Sequence, residues 1–336
     1  MYRSRLTGGF ILFVSFFAVM PLSAQLPDDF FDSPVVTGLE FPTGITFAEN
    51  GQGYVWEKSG LIYTIDSLGN QLPTPFLDLR EEISNWNDHG LSGFCLDNDF
   101  LSNGYVYLLY ALDLHYYEHF GTPAYHPDST VLHRPTIGRI TRFTADPATG
   151  FQTILPDSRR VLLGKTLDDG IPLLYEFHGL GTILQAEDGT LLVSCGDATS
   201  NAGTDYGGDE YGTMASAAIA AGVITPDQDL GSYRAQYLGA YNGKVLRIDP
   251  ETGEGLPSNP FFSSEAPSSA QSRAWALGLR NPYRMTLRPN TGSHYSAEGN
   301  PGVLYIGDVG NGRIVQAKLG YHQDAKVPLR NVPDQE

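Results

Sequence analysis

Sulfur, tryptophan and positive charge are all scarce in this sequence: 336 residues hold two cysteines, four methionines, three tryptophans and only 21 Lys plus Arg. Two cysteines cannot build a disulfide scaffold. Cys95 (Gly93-Phe94-Cys95-Leu96) and Cys195 (Val193-Ser194-Cys195-Gly196) sit in apolar runs and read as buried free thiols. Thirty-eight Asp plus Glu outweigh the cations and leave a net charge of −17. Such a surface repels phosphate backbones and anionic membranes, so nucleic-acid binding is not expected. Long hydrophobic runs are also missing, apart from one stretch over residues 8–20.

That stretch follows Arg3 and Arg5 and precedes Pro21-Leu22-Ser23-Ala24-Gln25, with Ala24 as a small residue for cleavage. The layout predicts a secretory signal over 1–24, hence a periplasmic or secreted protein. The run is too short for a membrane anchor, which needs about 20 apolar residues. The chain as a whole is rich in Gly (38), Tyr (19) and Phe (17), and 25–336 in Asn-Gly and Asp-Gly turns, which favours β-structure.

Four copies of one pattern recur: a polar lead-in, a Gly or Pro, an apolar run, a turn and a second apolar run. They are 42–56, 89–108, 178–194 and 281–307, each read as two antiparallel strands. Further strands are expected at Leu61–Ile65, Ile137–Phe143, Arg160–Leu163, Lys244–Ile248 and Arg313–Lys318. Spacing of this kind predicts the blades of a β-propeller. Thr199–Arg234 reads as a large inserted loop with one short helix near Met214–Ala221, the type of loop that borders a functional face.

In a propeller, equivalent strand ends converge on one cavity. His89, His178, Asp197, Asp308, Arg280 and Asn281 all fall at such ends. A histidine oriented by an aspartate can serve as a general base, but either residue can equally be a satisfied structural group or a turn residue.

From Leu39 onward the chain resembles the soluble quinoprotein glucose and sorbosone dehydrogenase family. The residues that carry the resemblance run in order: Gly38-Leu39-Glu40-Phe41-Pro42-Thr43-Gly44-Ile45, Gly90-Leu91-Ser92-Gly93-Phe94, His178 through Asp197, Asn242 through Pro250, Ala276-Leu277-Gly278-Leu279-Arg280-Asn281-Pro282 and Tyr305-Ile306-Gly307-Asp308-Val309-Gly310. The resemblance implies an all-β, six-bladed propeller, of which about four blades are encoded here. It implies oxidation of a sugar or polyol by hydride transfer to pyrroloquinoline quinone (PQQ), with calcium as a second cofactor and an external electron acceptor. His178 then matches the catalytic base and Asp197 the carboxylate that orients it. Arg280 and Asn281 match cofactor contacts, and Asp88 stands where relatives place a Gln or Glu near the cofactor. Gly310 and Asn311 match carbonyl ligands of calcium. Departures are Phe177 before the base, Thr182 and Ile183 in place of an Arg, and the stretch after Val309, which lacks the later Lys and Arg cofactor contacts. They lead to the expectation of a frameshift or truncation near Val309 and an inactive fragment, or else of a ring closed by another chain. A propeller that binds glycans or proteins without redox chemistry, and a calcium-dependent lactonase, are the other readings.

Overall fold

The strands pair as four antiparallel meanders in a computed structural model that describes residues 33–200 and 202–309, and the backbones of 313–317 and 330–331. The expected leader over 1–24 lies outside the described residues. Chain packing groups Val36 onward as one unit, which carries all four sheets. Among the described residues no helix is long and apolar enough to cross a membrane.

The first sheet is β1 (Pro42–Phe47), β2 (Gly53–Glu57), β3 (Leu61–Ile65) and β4 (Leu77–Asp78). The second is β5 (Leu91–Leu96), β6 (Tyr105–Ala111), β7 (Thr136–Thr144) and β8 (Arg160–Leu163), with β9 (Ile171–Leu173) also paired to β7. The third is β10 (Leu180–Gln185), β11 (Leu191–Cys195), β12 (Lys244–Ile248) and β13 (Ala274–Leu277). The fourth is β14 (Pro282–Leu287), β15 (Leu304–Asp308), β16 (Arg313–Ala317) and β17 (Arg330–Asn331). The four sequence copies are thus the first two strands of each sheet. The further strands read from sequence are β3, β7, β8, β12 and β16.

Sheets stack face to face, and the side-chain period of two distributes each strand between two cores. Along β6, Val106, Leu108 and Tyr110 enter the core shared with the first sheet. Tyr107, Leu109 and Ala111 enter the core shared with the third. On β11, Leu191, Val193 and Cys195 face the second sheet while Leu192 faces the fourth. Burial on both faces explains why these strands read as continuous apolar runs. Cys95 and Cys195 are both free, and burial pushes the Cys195 thiol up to about 12.

Each sheet carries the same irregularity near the start of its first pair: a register shift between Pro42 and Gly44, Leu91 and Gly93, Leu180 and Ile183, and Pro282 and Arg284. Bulges of this kind re-aim the chain at a sheet end. The first strands also touch one another. Thr43 Oγ1 donates to the Leu91 carbonyl (2.9 Å), Thr182 Oγ1 to the Tyr283 carbonyl (3.2 Å), and Arg284 Nη2 to the Thr43 carbonyl (3.0 Å). The first strands therefore sit together, with their starting ends side by side, as a propeller-like arrangement requires.

Candidate active site

The hydrogen bond just before each first strand defines equivalent positions. Lys58 N donates to Phe41 O, Ala111 N to Gly90 O, Gly196 N to Gly179 O and Val309 N to Asn281 O. The residue before each acceptor is then Glu40, His89, His178 or Arg280. Three kinds of side chain, one carboxylate, two imidazoles and one guanidinium, occupy one ring of equivalent backbone positions.

His178 adopts a left-handed φ of 54° and is 5% exposed; Asp197 is 2% exposed. His178 Nδ1 lies 3.1 Å from Asp197 Oδ1. The same oxygen accepts from the Thr199 backbone N–H (3.1 Å) and the Thr199 hydroxyl (2.8 Å). A carboxylate oxygen placed there accepts a hydrogen bond from Nδ1–H, the tautomer in which the Nε2 lone pair is left to accept a proton. The backbone is interlocked around the pair: Ala198 N donates to the His178 carbonyl (2.9 Å) and Asp197 N to the Arg280 carbonyl (2.8 Å). Gly196 is required by space, since a Cβ there would stand 2.3 Å from the His178 carbonyl oxygen.

Asp197 and Arg280 line a pocket of about 510 Å³ together with Ala202, Gly203, Thr204, Ser232, Tyr233, Ala235, Gln236, Gly278 and Leu279. Most of that wall belongs to the inserted loop and the segment after it, which also holds the expected short helix, at Ala215–Ala220. Arg280 Nη2 reaches the Ser200 carbonyl at 3.5 Å. Two further cations adjoin the wall. Arg234 is 1% exposed, and its Nε and Nη1 find no hydrogen-bond partner among the described residues. Burial draws its guanidinium below its ordinary pKa while Asp205, Asp197 and Asp229 oppose the shift. Lys244 Nζ donates to the carbonyls of Arg234 and Asn242, both at 2.9 Å, and burial lowers the amine to about 8.

The other expected residues divide. Asn281 is buried beside Arg280, and Asp308 accepts from the backbone N–H groups of both, at 2.8 and 3.1 Å. Asp308 is therefore a clamp on the turn that presents Arg280. By the strand register (Pro282 opposite Asp308, Leu180 opposite Cys195) it is equivalent to Cys195, so the two Gly-Asp ends do not correspond. Asp88 is attached to the segment that leads into His178 through its N–H to the Glu176 carbonyl (3.1 Å). Burial raises its carboxyl pKa, opposed by His178 and Lys58. His89 does not join the site. It is 2% exposed, its Nε2 bonds the Tyr175 carbonyl at 3.0 Å, and burial lowers it to about 4, so it is a neutral structural group. Gly310 and Asn311 lie outside the described residues. Among the described residues no group of three or more His, Cys, Asp or Glu could hold a metal. A second cleft of about 430 Å³ opens at the opposite strand ends, near Asp97. There Asp97 is occupied by Asn103, Tyr107 and Gln185.

Sequence reading missed Thr199, Arg234 and Lys244. Thr199 was findable, since a Thr two residues after an Asp is a common local hydrogen-bonding pair. The cations were not, because their role depends on burial.

The sequence profile described as Glucose / Sorbosone dehydrogenase matches residues 39–302, more than three quarters of the chain. The chain belongs to the glucose/sorbosone dehydrogenase family. Among solved structures, it is similar to a putative oxidoreductase (glucose dehydrogenase) from Thermus thermophilus, with 22% identity, a TM-score of 0.52, and coverage of 82% of this chain and 59% of that one. Another glucose dehydrogenase aligns with 15% identity, a TM-score of 0.52 and the same coverage. A PQQ-bound aldose sugar dehydrogenase from Streptomyces coelicolor aligns over 85% of this chain and 79% of that one, with 17% identity and a TM-score of 0.46. This chain thus spans about three fifths of the length of the first two structures. No curated protein matches the sequence.

Proposed function

We propose that the chain carries the active site of an exported quinoprotein dehydrogenase that oxidises a sugar or polyol hydroxyl, with four blades of a six-bladed ring represented in its described sheets. The observation that carries this is the His178–Asp197 contact of 3.1 Å beside a pocket that Arg280 lines, in a chain of this family. The pocket suits a flat, multiply anionic quinone. Its volume lies in the range of small-ligand sites, and one cation lines it while two lie buried next to it.

When bound, PQQ supplies the two-electron acceptor that takes a hydride from the substrate carbon. The chain's own residues do the rest. His178 Nε2 takes the hydroxyl proton as the C–H bond breaks, so the substrate loses one proton and one hydride and becomes a carbonyl compound or lactone. Asp197 keeps the proton on Nδ1 and holds the imidazolium that forms. Arg280 offsets the negative charge that gathers in the pocket, and Asp308 fixes the turn that presents it. Asp88 and Asn281 border the same ring of positions. Gly310 and Asn311 are proposed as carbonyl ligands of calcium.

The test is titration of the protein with PQQ in the presence of Ca²⁺, read by absorbance and by dye-linked oxidation of an aldose. Quinone uptake that Arg280→Ala abolishes and His178→Ala preserves, with turnover lost in both, supports the proposal. Turnover that survives His178→Ala overturns the base assignment, and absence of quinone uptake overturns the reading as a whole.

A further inference from the structure

Arg234 is buried with no hydrogen-bond partner for its Nε or Nη1 among the described residues. It belongs to the short helical turn Gly231–Gln236, whose Ser232, Tyr233, Ala235 and Gln236 line the pocket while Arg234 does not. A guanidinium in such a place has to be balanced by opposite charge, which Asp205, Asp197 and Asp229 supply. Consecutive backbone amides hold two of these carboxylates: Gly207 N donates to Asp205 Oδ1 (2.7 Å) and Gly208 N to Asp229 Oδ1 (2.8 Å). The turn is packed onto Asp205 without slack. A Cβ on Gly231 would stand 2.4 Å from the Asp205 carbonyl oxygen and 2.5 Å from its Oδ1. Ser232 N donates to the same carbonyl (2.9 Å), and Asp205 N to Ser232 Oγ (3.3 Å). Ser232 Oγ lies 3.5 Å from Thr199 Oγ1, which donates to Asp197 at 2.8 Å. Hydroxyl and backbone contacts thus tie the Arg234 turn to the carboxylate that holds His178.

We infer that Arg234 is a positioning residue of the site: by offsetting the carboxylates that crowd Asp197, it keeps His178 free to accept a proton at neutral pH. The inference rests on the proposed function and adds to it a residue from the inserted loop. A carboxylate beside an imidazole favours the imidazolium, and two further carboxylates in the same buried region favour it more. A histidine that stays protonated cannot serve as a base. A guanidinium, which keeps its proton across the working range, cancels one of those charges permanently. Burial works against the charged forms of Arg234 and Asp205 alike, and each supports the other against it. Arg234 thus acts through Asp197 and needs no contact with the pocket. The other charged groups around the pair are Asp88, Lys58 and Glu176 on the lead-in side, Arg280 with its clamp Asp308, and Asp229 and Lys244 on the loop side. All of them stay in place in the variants below.

The test compares the wild type with Arg234→Met, Arg234→Lys, Asp205→Asn and the double change Arg234→Met/Asp205→Asn. Two pH titrations are read. One is the midpoint at which the His178 ring signals move in NMR spectra, the signals being identified by their loss in His178→Gln. The other is the acid limb of kcat/KM in dye-linked turnover. Removal of the cation is expected to move both up by about one pH unit, and removal of the Asp205 charge to move both down by about half a unit. Arg234→Lys and the double change are expected to stay within about 0.3 units of the wild type. The rate on the high-pH plateau is kept in each, which general damage to the fold would not spare. Circular dichroism and the melting temperature establish that each variant is folded; if Arg234→Met is not, the Asp205→Asn shift decides. Unmoved midpoints in folded Arg234→Met, or no downward shift in Asp205→Asn, overturn the inference. The NMR midpoint needs neither quinone nor turnover. If it moves in this order while no turnover is found, the charge compensation stands and the dehydrogenase reading falls.

Discussion

Replacing Gly196 by alanine tests the geometry of the site without depending on turnover. The new Cβ would stand 2.3 Å from the His178 carbonyl oxygen, 2.7 Å from its carbonyl carbon and 3.0 Å from the Arg280 carbonyl oxygen. All three are backbone atoms, so no rotamer change relieves the clash. Ordinary contact needs about 3.5 Å, so the chain must move by roughly 1 Å. Hydrogen bonds pin what has to move: Gly196 N to Gly179 O at 2.7 Å, Asp197 N to Arg280 O at 2.8 Å and Ala198 N to His178 O at 2.9 Å. Overpacking costs about 1–3 kcal/mol. Straining two of these bonds adds about 1 kcal/mol each. The stiffer unfolded chain returns about 0.4–1 kcal/mol. The net loss is about 3 kcal/mol, seen as a fall in melting temperature of roughly 6–10 °C. Displacement of His178 and Arg280 should also lower turnover by about 10²-fold. Gly189→Ala is the control: its φ is +79° and nothing lies within 4 Å, so only a conformational cost of about 1–2 kcal/mol applies, and the site is untouched. A Gly196→Ala protein that melts and binds quinone like the wild type would refute the reasoning.

Thr199→Val removes the hydroxyl that donates to Asp197 at 2.8 Å. We expect turnover to fall about ten-fold or more, read by dye-linked kinetics, with little change in quinone uptake. Arg247 and Asp188 form a fully buried pair at 2.7 Å at the strand ends away from the site. Arg247→Met should cost about 3–5 kcal/mol in denaturant unfolding while the folded fraction still takes up quinone. His89, lowered from 6.5 to about 4, must be neutral to fold. The unfolded chain binds the extra proton between those values, so stability falls as pH drops from about 6.5 to 4, by up to about 3 kcal/mol. Melting curves of His89→Gln should lack that part of the slope; an unchanged pH dependence would show that His89 does not titrate as described.

The second and third strands were legible as apolar runs, which burial on both faces accounts for at Tyr105–Ala111 and Lys244–Ile248. The fourth strands were mostly not. Leu77–Asp78 has two residues and Ala274–Leu277 four, too few for a pattern, and they form because a neighbouring strand is already in place. The site was half legible. His178, Asp197 and Arg280 stand next to turn glycines at strand ends, and their neighbourhood follows from the repeat. The inserted loop was expected to border the functional face, but the residues that line the pocket were not legible: Ser232 and Tyr233, with Ala235 and Gln236 just after the loop, share a wall with Asp197 through a chain path with no period.

Two near-identical motifs show where local sequence stops deciding chemistry. Asp88-His89-Gly90-Leu91 and Phe177-His178-Gly179-Leu180 open adjacent sheets in the same way, and each Gly carbonyl accepts from the strand that follows, from Ala111 in one case and Gly196 in the other. The next residue along that strand decides the outcome. After Gly196 comes Asp197, whose carboxylate meets the His178 ring. After Ala111 comes Leu112, fully buried in an apolar cluster, and His89 has no carboxylate to orient it. His89 turns to the Tyr175 carbonyl instead and stays neutral, while the His178 ring is held against Asp197. The equivalent place in the fourth sheet holds Arg280. The ring of positions is a scaffold property, and each side chain's role is set by a partner that lies about twenty residues or more away in sequence and one residue away in register.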